Sequence, residues 1–520
     1  MAEHVSSNAV WRYLDVHLQN GRGGRTSLRL DDHALTYEDL YGLVCRAAGI
    51  LRQSGVGRQD RVVVALSDGP AFVAGAFAAM RIGAITVPVN PGVSPTRFRH
   101  MMLDCRPSAA LLAAGMAEAA AVLTTELPGC AIWNGDDDEA QHPFERALSD
   151  AAEQPDIAEP HSAEDAAWLQ YTSGSTGNPK AAIWSHGMFT ALPDVAGVWY
   201  DPEDRCYCTS KLSSGYAFMD GVLLPLSAGA VSVLRPGRID PLTVARVLET
   251  HRPTLLYSLP TMYAALLSLP DAADRFDFSS VRRCVSSGEY LPAALATRFA
   301  DEFGIELVNE FGSSEAGDML ATEPGRSEPG SCGRPLPGVR ARVVDELGQV
   351  LPDERSGFLE VRSAAAAVGY WNRPDATRRT FREGWVRTGD IVRRRPDGDY
   401  VYIGRLDDII NIGGVKTIPA DVEEQLMRLP EIAACAVVAT EGRNGLPVMT
   451  AFIVPTPPVD ADLKLKRVIR EHLRRTVGGE HSPSSIVFSD ALPTTVTGKT
   501  SKGLLRQERV DTAGSEDGRD

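Results

Sequence analysis

Short β-rich runs alternate with helical stretches along the first two-thirds of the chain. Val62–Leu66 and Ala84–Val89 are rich in valine and isoleucine, and they flank an apolar stretch, Ala71–Met80, that ends at Arg81. Strand, helix, strand at this spacing predicts a parallel pair, because parallel neighbours need a crossover and the helix supplies it. Further strands are expected at 231–234, 254–258, 281–285 and 305–308, with a helix over Pro292–Phe303 stopped by Gly304. Thr36-Tyr37-Glu38-Asp39 reads as a helix start, with Thr36 as cap and acids in the first turn; the helix then runs through Leu43, Ala47 and Leu51 to Gly55. The expected class is α/β, a large domain of mostly parallel sheets flanked by helices.

After about residue 340 the pattern changes. Arg340–Asp345, Phe358–Arg362 and Val401–Ile403 alternate polar and apolar residues between Gly-containing turns, which suits an antiparallel β unit. A smaller α+β unit follows, with a helix at Asp421–Leu429, strands at Ala433–Thr440 and Val448–Pro455, and a basic helix at Leu463–Arg475. The expected division is a large domain over 1–405, a small mobile lid domain over 406–510 and a disordered tail over 511–520. The small unit carries as many acids as bases, so the net charge of −15 lies in the large unit and the tail. Lys464, Lys466, Arg467, Arg470, Arg474 and Arg475 cluster on one helix; they form either a solvated face or a docking face for an acidic or phosphate-bearing partner.

The acidic balance argues against a general nucleic-acid binder. No apolar run reaches the roughly 18–20 residues that a membrane span needs. The N-terminus has no basic segment followed by an apolar core, so a cytoplasmic location is expected. The eight cysteines have no paired zinc spacing, and no HExxH motif accompanies the ten histidines. They read as buried thiols in a reducing compartment.

Tyr171-Thr-Ser-Gly-Ser-Thr-Gly-Asn-Pro-Lys180 follows a short strand, Ala167–Tyr171. Small and hydroxylated residues let backbone N–H groups approach an anion, and Lys180 adds a point charge for phosphate. The spacing matches neither the Walker A loop nor the dinucleotide fingerprint. Together with Ala181-Ala-Ile-Trp-Ser-His186, it resembles the phosphate-binding signature of the AMP-forming superfamily of acyl-CoA synthetases, adenylation domains and luciferases. The superfamily's other signatures follow in order. They are Ser287-Gly288-Glu289; Asn309-Glu310-Phe311-Gly312-Ser313-Ser314-Glu315; Gly369-Tyr370-Trp371-Asn372-Arg373-Pro374; Thr388-Gly389-Asp390; Gly404-Arg405-Leu406-Asp407-Asp408; and Pro493-Thr494 through Gly498-Lys499. The departures, Ala181, Phe311 and Ser314, are small in size or chemistry.

The resemblance implies a reaction in which a carboxylic acid and ATP form an acyl-adenylate and pyrophosphate, and a phosphopantetheine thiol then displaces AMP. It implies ATP and Mg2+ as cofactors, with Glu315 as the metal ligand. Lys499, Glu315, Lys180 and Thr176 are the expected catalytic residues. Thr172, Ser173, Gly174, Ser175, Thr176, Gly177, Gly288, Glu289, Asn309, Glu310, Phe311, Gly312, Ser314, Asp390 and Arg405 are expected at the nucleotide. Asp407 is the expected hinge about which the small domain rotates, and Gly413, Gly414 and Lys416 form the face used in thiol transfer.

The acid pocket is expected from Ser213, Tyr216, Asp220, Gly221, Ser286 and Met319. Much of Cys208–Leu307 is similar to benzoate–CoA ligases. Asp220, a lone acid in an apolar segment, admits two readings: a structural carboxylate, or an anchor for a substrate ammonium of the kind used by enzymes that activate amino acids and β-amino acids. Gly221 is expected to leave room beside it, and Met319 to form an apolar wall. The leading expectation is an amino acid, including β-amino acids, loaded onto a carrier protein in trans. The alternative is an aryl or other acid–CoA ligase, and a remote one is a non-catalytic nucleotide-binding relative. Because proline restricts the backbone, Asp407→Pro is expected to slow thioester formation more than adenylation in separate half-reaction assays. Equal slowing of the two would exclude the hinge role.

Overall fold

The computed structural model describes residues 8–134, 142–151, 161–172, 179–408, 410–412, 415–441, 446–494 and 500–507. Ser173, Gly174, Ser175, Thr176, Gly177, Gly413, Gly414, Lys499 and the 511–520 tail lie outside the described residues.

The expected α/β class is observed, with two large sheets. In one, seven strands run in the order Gly369–Tyr370, Lys180–Ser185, Ala166–Thr172, Ile85–Pro88, Arg61–Ala65, Ala109–Leu112, Ala131–Asn134. Arg61–Ala65 pairs in parallel with both Ile85–Pro88 and Ala109–Leu112. Helix Pro70–Arg81 makes the crossover that the sequence pattern demands. Both faces of this sheet are covered: Val62 and Val64 enter one apolar core, and Val63 and Ala65 enter another. That two-sided burial is why these strands are apolar runs rather than alternating ones.

The longer sheet changes character at strand Leu307–Ser313. On one side Arg205–Cys208, Leu255–Ser258, Arg283–Ser286 and Leu307–Ser313 are parallel neighbours. On the other, Gly317–Ala321, Ser331–Pro335, Tyr400–Arg405, Trp385–Arg394, Ser356–Arg362 and Arg340–Val344 continue in antiparallel fashion. Beyond these sheets, Ile432–Glu441, Pro447–Pro455 and Ser485–Phe488 form a three-stranded sheet. Helix Leu463–Thr476 buries Leu465, Ile469 and Leu473 against it. That four-residue spacing is one helical stripe, and it leaves most of the basic residues exposed.

Thr36 caps helix Tyr37–Gln53 as expected: its hydroxyl accepts from the Asp39 N–H at 3.0 Å, and the Asp39 carboxylate accepts from the Thr36 N–H at 2.9 Å. Arg81, which ends the apolar run in the sequence, is itself buried. Its guanidinium donates two hydrogen bonds, of 2.8 and 2.6 Å, to the buried carboxylate of Asp15. This fork ties the N-terminal helical segment to the central helix. Removing one partner of a buried pair strands the other charge, so Asp15→Asn is expected to destabilise the protein by about 3–5 kcal/mol, measured as a fall in the denaturant midpoint.

Candidate active site

The site is organised by the hairpin of Leu307–Ser313 and Gly317–Ala321. Its turn presents Glu315, whose backbone oxygen accepts from the Ala367 N–H at 3.0 Å. Gly317 has a φ of +67°, and a Cβ there would stand 2.7 Å from the Ala365 oxygen, so only glycine fits this turn. The phosphate-loop sequence joins strands Ala166–Thr172 and Lys180–Ser185, whose register pairs Thr172 with Lys180.

Across this cleft three side chains meet. The Tyr370 hydroxyl donates to Glu315 Oε1 at 2.6 Å, and Lys180 Nζ donates to the Tyr370 oxygen at 2.7 Å. Lys180 Nζ also stands 3.9 Å from Glu315 Oε1 and 4.0 Å from the Tyr370 ring centre. Burial and the neighbouring carboxylate raise the Tyr370 phenol, so it remains a donor. In the sequence Tyr370 stands only as one residue of a motif; its contact with both Lys180 and Glu315 is a tertiary result. Glu315 offers a hard carboxylate oxygen of the type Mg2+ takes, beside a cation suited to phosphate.

Strands Trp385–Arg394 and Tyr400–Arg405 place Asp390 opposite Arg405. Their side chains are 3.5 Å apart, and Arg405 Nη2 donates to the Thr388 oxygen at 3.2 Å. Burial pushes the Asp390 carboxyl up to about 6 despite the opposing guanidinium. The Phe311 and Tyr402 rings lie 5.7 Å apart, and Tyr402 in turn faces Tyr290 at 5.6 Å.

Glu289 accepts a hydrogen bond from the Thr500 N–H at 2.8 Å and one from the Thr261 N–H at 3.4 Å. The residue after Lys499 is therefore held at the Ser287-Gly288-Glu289 turn, where Gly288 has a φ of +82°. The Tyr290 hydroxyl donates to Glu424 at 2.9 Å, a second link to the C-terminal part of the chain.

Several expected residues fall elsewhere. The Asn309 amide donates to the Ser331 oxygen at 2.7 Å, so this side chain ties strand Leu307–Ser313 to strand Ser331–Pro335 across the one between them. Glu310, expected at the nucleotide, is buried with Asp220 and Asp318, the three offering oxygens within 4.8 Å of one another. Strand alternation puts Glu310 on the face opposite Phe311. The expected wall residue Met319 is replaced on that face by Asp318. The register pairs Phe311 with Leu320 but Gly312 with Asp318, so Met319 is the extra residue of a bulge. A regular hairpin would have paired Met319 with Gly312. Met319 instead enters the apolar core.

Gly221 does not open space beside Asp220. A Cβ there would lie 2.9 Å from Cys208 Cβ, so the glycine permits close packing on strand Arg205–Cys208. Ser213 bonds through its backbone oxygen to the Gln170 amide at 3.3 Å, and the Tyr216 hydroxyl donates to the Ser258 oxygen at 3.3 Å. Ser286 is buried in register with Asn309. All eight cysteines are free thiols. Among the described residues no helix is long and apolar enough to cross a membrane.

A two-sheet α/β body with a cleft acid beside a lysine, and a C-terminal segment latched beside the Ser287-Gly288-Glu289 turn, suits an adenylate-forming enzyme. The chain belongs to the AMP-binding enzyme family: the family pattern matches residues 16–371, and that of the AMP-binding enzyme C-terminal domain matches residues 421–499. It is an AMP-forming acid–thiol ligase. A 4-hydroxybenzoate–CoA/benzoate–CoA ligase of Rhodopseudomonas palustris is 33% identical over 96% of this chain and 94% of its own. A benzoate–CoA ligase of Thauera aromatica is 30% identical over 96% and 95%. Among solved structures, an anthranilate CoA ligase in complex with anthranoyl-AMP matches with a TM-score of 0.87 and 29% identity, covering 96% of each chain.

A carboxyl raised to about 6 takes up its proton earlier on acidification than an ordinary aspartate. ATP binding that uses ionised Asp390 is expected to weaken as pH falls through about 6 and to lose that dependence in Asp390→Asn. ATP dissociation constants between neutral and mildly acidic pH check this.

Proposed function

We propose that this protein is an aryl acid–CoA ligase, forming an aroyl-adenylate from ATP and transferring the acyl group to CoA. The observation that carries the reading is the match, along nearly the whole chain, to ligases named for benzoate and hydroxybenzoates. The solved relative holding anthranoyl-AMP points the same way. These likenesses favour the aryl acid and CoA over the amino acid and carrier protein with which the sequence alone leads.

Residue roles follow from chemistry and placement. Glu315 would hold Mg2+, which would supply positive charge against the nucleotide phosphates. Lys180 leaves Tyr370 for the nucleotide phosphates, and Thr176 and Ser314 add donors where charge develops on phosphorus. Asp390 accepts from the ribose hydroxyls and Arg405 stands beside it. Lys499 bridges the substrate carboxylate and the α-phosphate, offsetting the repulsion between two anions; docking of its neighbour Thr500 on Glu289 supports this. After adenylation the C-terminal unit rotates about Asp407, so that Gly413, Gly414 and Lys416 line the thiol's approach.

The test is pyrophosphate release and CoA consumption with Mg-ATP across benzoate, hydroxybenzoates and aminobenzoates. Acid-dependent release coupled to thioester formation is the expected outcome. Pyrophosphate release that leaves CoA untouched, or that yields thioester only on a holo-carrier protein, would overturn CoA as the acceptor.

A further inference from the structure

The three side chains that meet in the cleft come from three separate elements. Lys180 opens strand Lys180–Ser185, Glu315 lies in the turn after strand Leu307–Ser313, and Tyr370 closes the two-residue strand Gly369–Tyr370. That short strand is held from several sides. It pairs with Lys180–Ser185, with Tyr370 opposite Ala182, and the Trp371 N–H donates to the Ala181 oxygen at 2.9 Å. The Tyr370 N–H donates to the Thr377 hydroxyl at 2.9 Å. A Cβ on Gly369 would stand 2.9 Å from Thr377 Cγ2, so the strand lies close against helix Pro374–Thr380. Beyond it, the Trp371 ring N–H and the Asn372 amide donate to the Asp104 oxygen at 3.2 and 3.1 Å, and Arg373 pairs with the Asp104 carboxylate at 3.0 Å. The buried Tyr370 ring meets Phe381 edge-on at 5.5 Å. The phenol is thus fixed by its backbone and by its ring.

A phenolic hydroxyl can donate and accept at once. This one donates to Glu315 Oε1 at 2.6 Å and accepts from Lys180 Nζ at 2.7 Å. Lys180 and Glu315 carry opposite charges, and a direct, hydrogen-bonded pair between them would close to about 2.8 Å. They stand 3.9 Å apart instead. The ammonium also lies 4.0 Å from the Tyr370 ring centre, so ring and hydroxyl both hold it. Burial and the Glu315 carboxylate raise the phenol, so it keeps its proton and stays neutral between the two charges. A direct pair would use each charge on the other, and a nucleotide would first have to break it.

We propose that Tyr370 is a positioning residue whose hydroxyl acts as a spacer: it keeps Lys180 and Glu315 from closing into a direct ion pair, and so leaves the ammonium for phosphate and the carboxylate for the metal. The inference rests on the roles given above to Lys180 and Glu315 and adds a third residue to them. In Tyr370→Phe the ring, the strand pairing and the contact with Phe381 are kept, and only the bridging oxygen is lost. The charges are then free to close from 3.9 Å to about 2.8 Å. At an effective dielectric of about 20, the added attraction corresponds to about tenfold in an equilibrium constant.

The experiment is a double-mutant cycle on nucleotide binding rather than on turnover. The affinity for Mn2+ together with a non-hydrolysable ATP analogue is read by electron paramagnetic resonance. The four proteins are wild type, Tyr370→Phe, Lys180→Met and the double variant. Tyr370→Phe should weaken binding about tenfold where Lys180 is present. Where Lys180 is absent there is no ion pair to prevent, and the loss should be no more than about twofold, the scatter of independent sites.

An equal loss in both backgrounds would overturn the inference, because a purely structural tyrosine, or a variant that folds poorly, costs the same in each. No loss in either background would overturn it as well. Glu315→Gln and Lys180→Met should each weaken binding by themselves. If neither does, the roles given to those two residues fail and the spacer fails with them. None of these outcomes bears on which acid and which thiol are used, since those are read from pyrophosphate release and thioester formation by the wild type.

Discussion

The bulged hairpin at 307–321 is the constraint on which the rest of the site depends. It is where the parallel half of the long sheet becomes antiparallel, so it closes one architecture and opens the other. Its turn sets Glu315 in the cleft beside Tyr370 and Lys180. One face carries Phe311, and the opposite face carries Glu310 and Asp318. Gly312 is tightly held within it: a Cβ there would stand 3.0 Å from both Asp318 Oδ1 and the Gly317 oxygen. One irregular pair of strands thereby sets an aromatic ring on one face and two buried carboxylates on the other.

The molecule treats its buried charges in two ways. Arg81 and Asp15 form a closed, two-bonded pair that fastens one helix to another. Asp220, Glu310 and Asp318 form an open set of acceptors with no cation against them among the described residues. The first arrangement uses its hydrogen-bonding capacity, and the second leaves oxygens without a partner among the described residues. Burial alone therefore says little about function; the difference lies in whether the hydrogen-bonding capacity is used.

The contact between the large body and the C-terminal part of the chain is polar and small in scale. Glu289 takes the Thr500 N–H and Tyr290 reaches Glu424. Within the C-terminal part itself, Arg506 pairs with Asp408 at 2.7 Å, and Lys502 with Glu423 at 2.7 Å. Partly exposed polar links of this kind exchange readily for water and add little to stability.

Much was legible in the sequence, because it is written in local periodicity and in contiguous motifs. The parallel strands, the Thr36 cap, the helix ending at Gly304 and the amphipathic 463–476 helix all follow from short-range pattern. The adenylate-forming family follows from the phosphate-loop sequence and six further signatures in order. What the sequence could not determine is set by register and by distance along the chain. A single bulge exchanges Met319 for Asp318 on the pocket face, because a strand's side chains alternate and one extra residue inverts every assignment beyond it. Glu310 and Asp220 are ninety residues apart and meet only when strand Leu307–Ser313 packs beside the π-helical turn Met219–Leu223. The sequence by itself determined the fold class and the chemistry of activation; only the tertiary structure decided which acids face one another, because strand register and chain separation are invisible to local pattern.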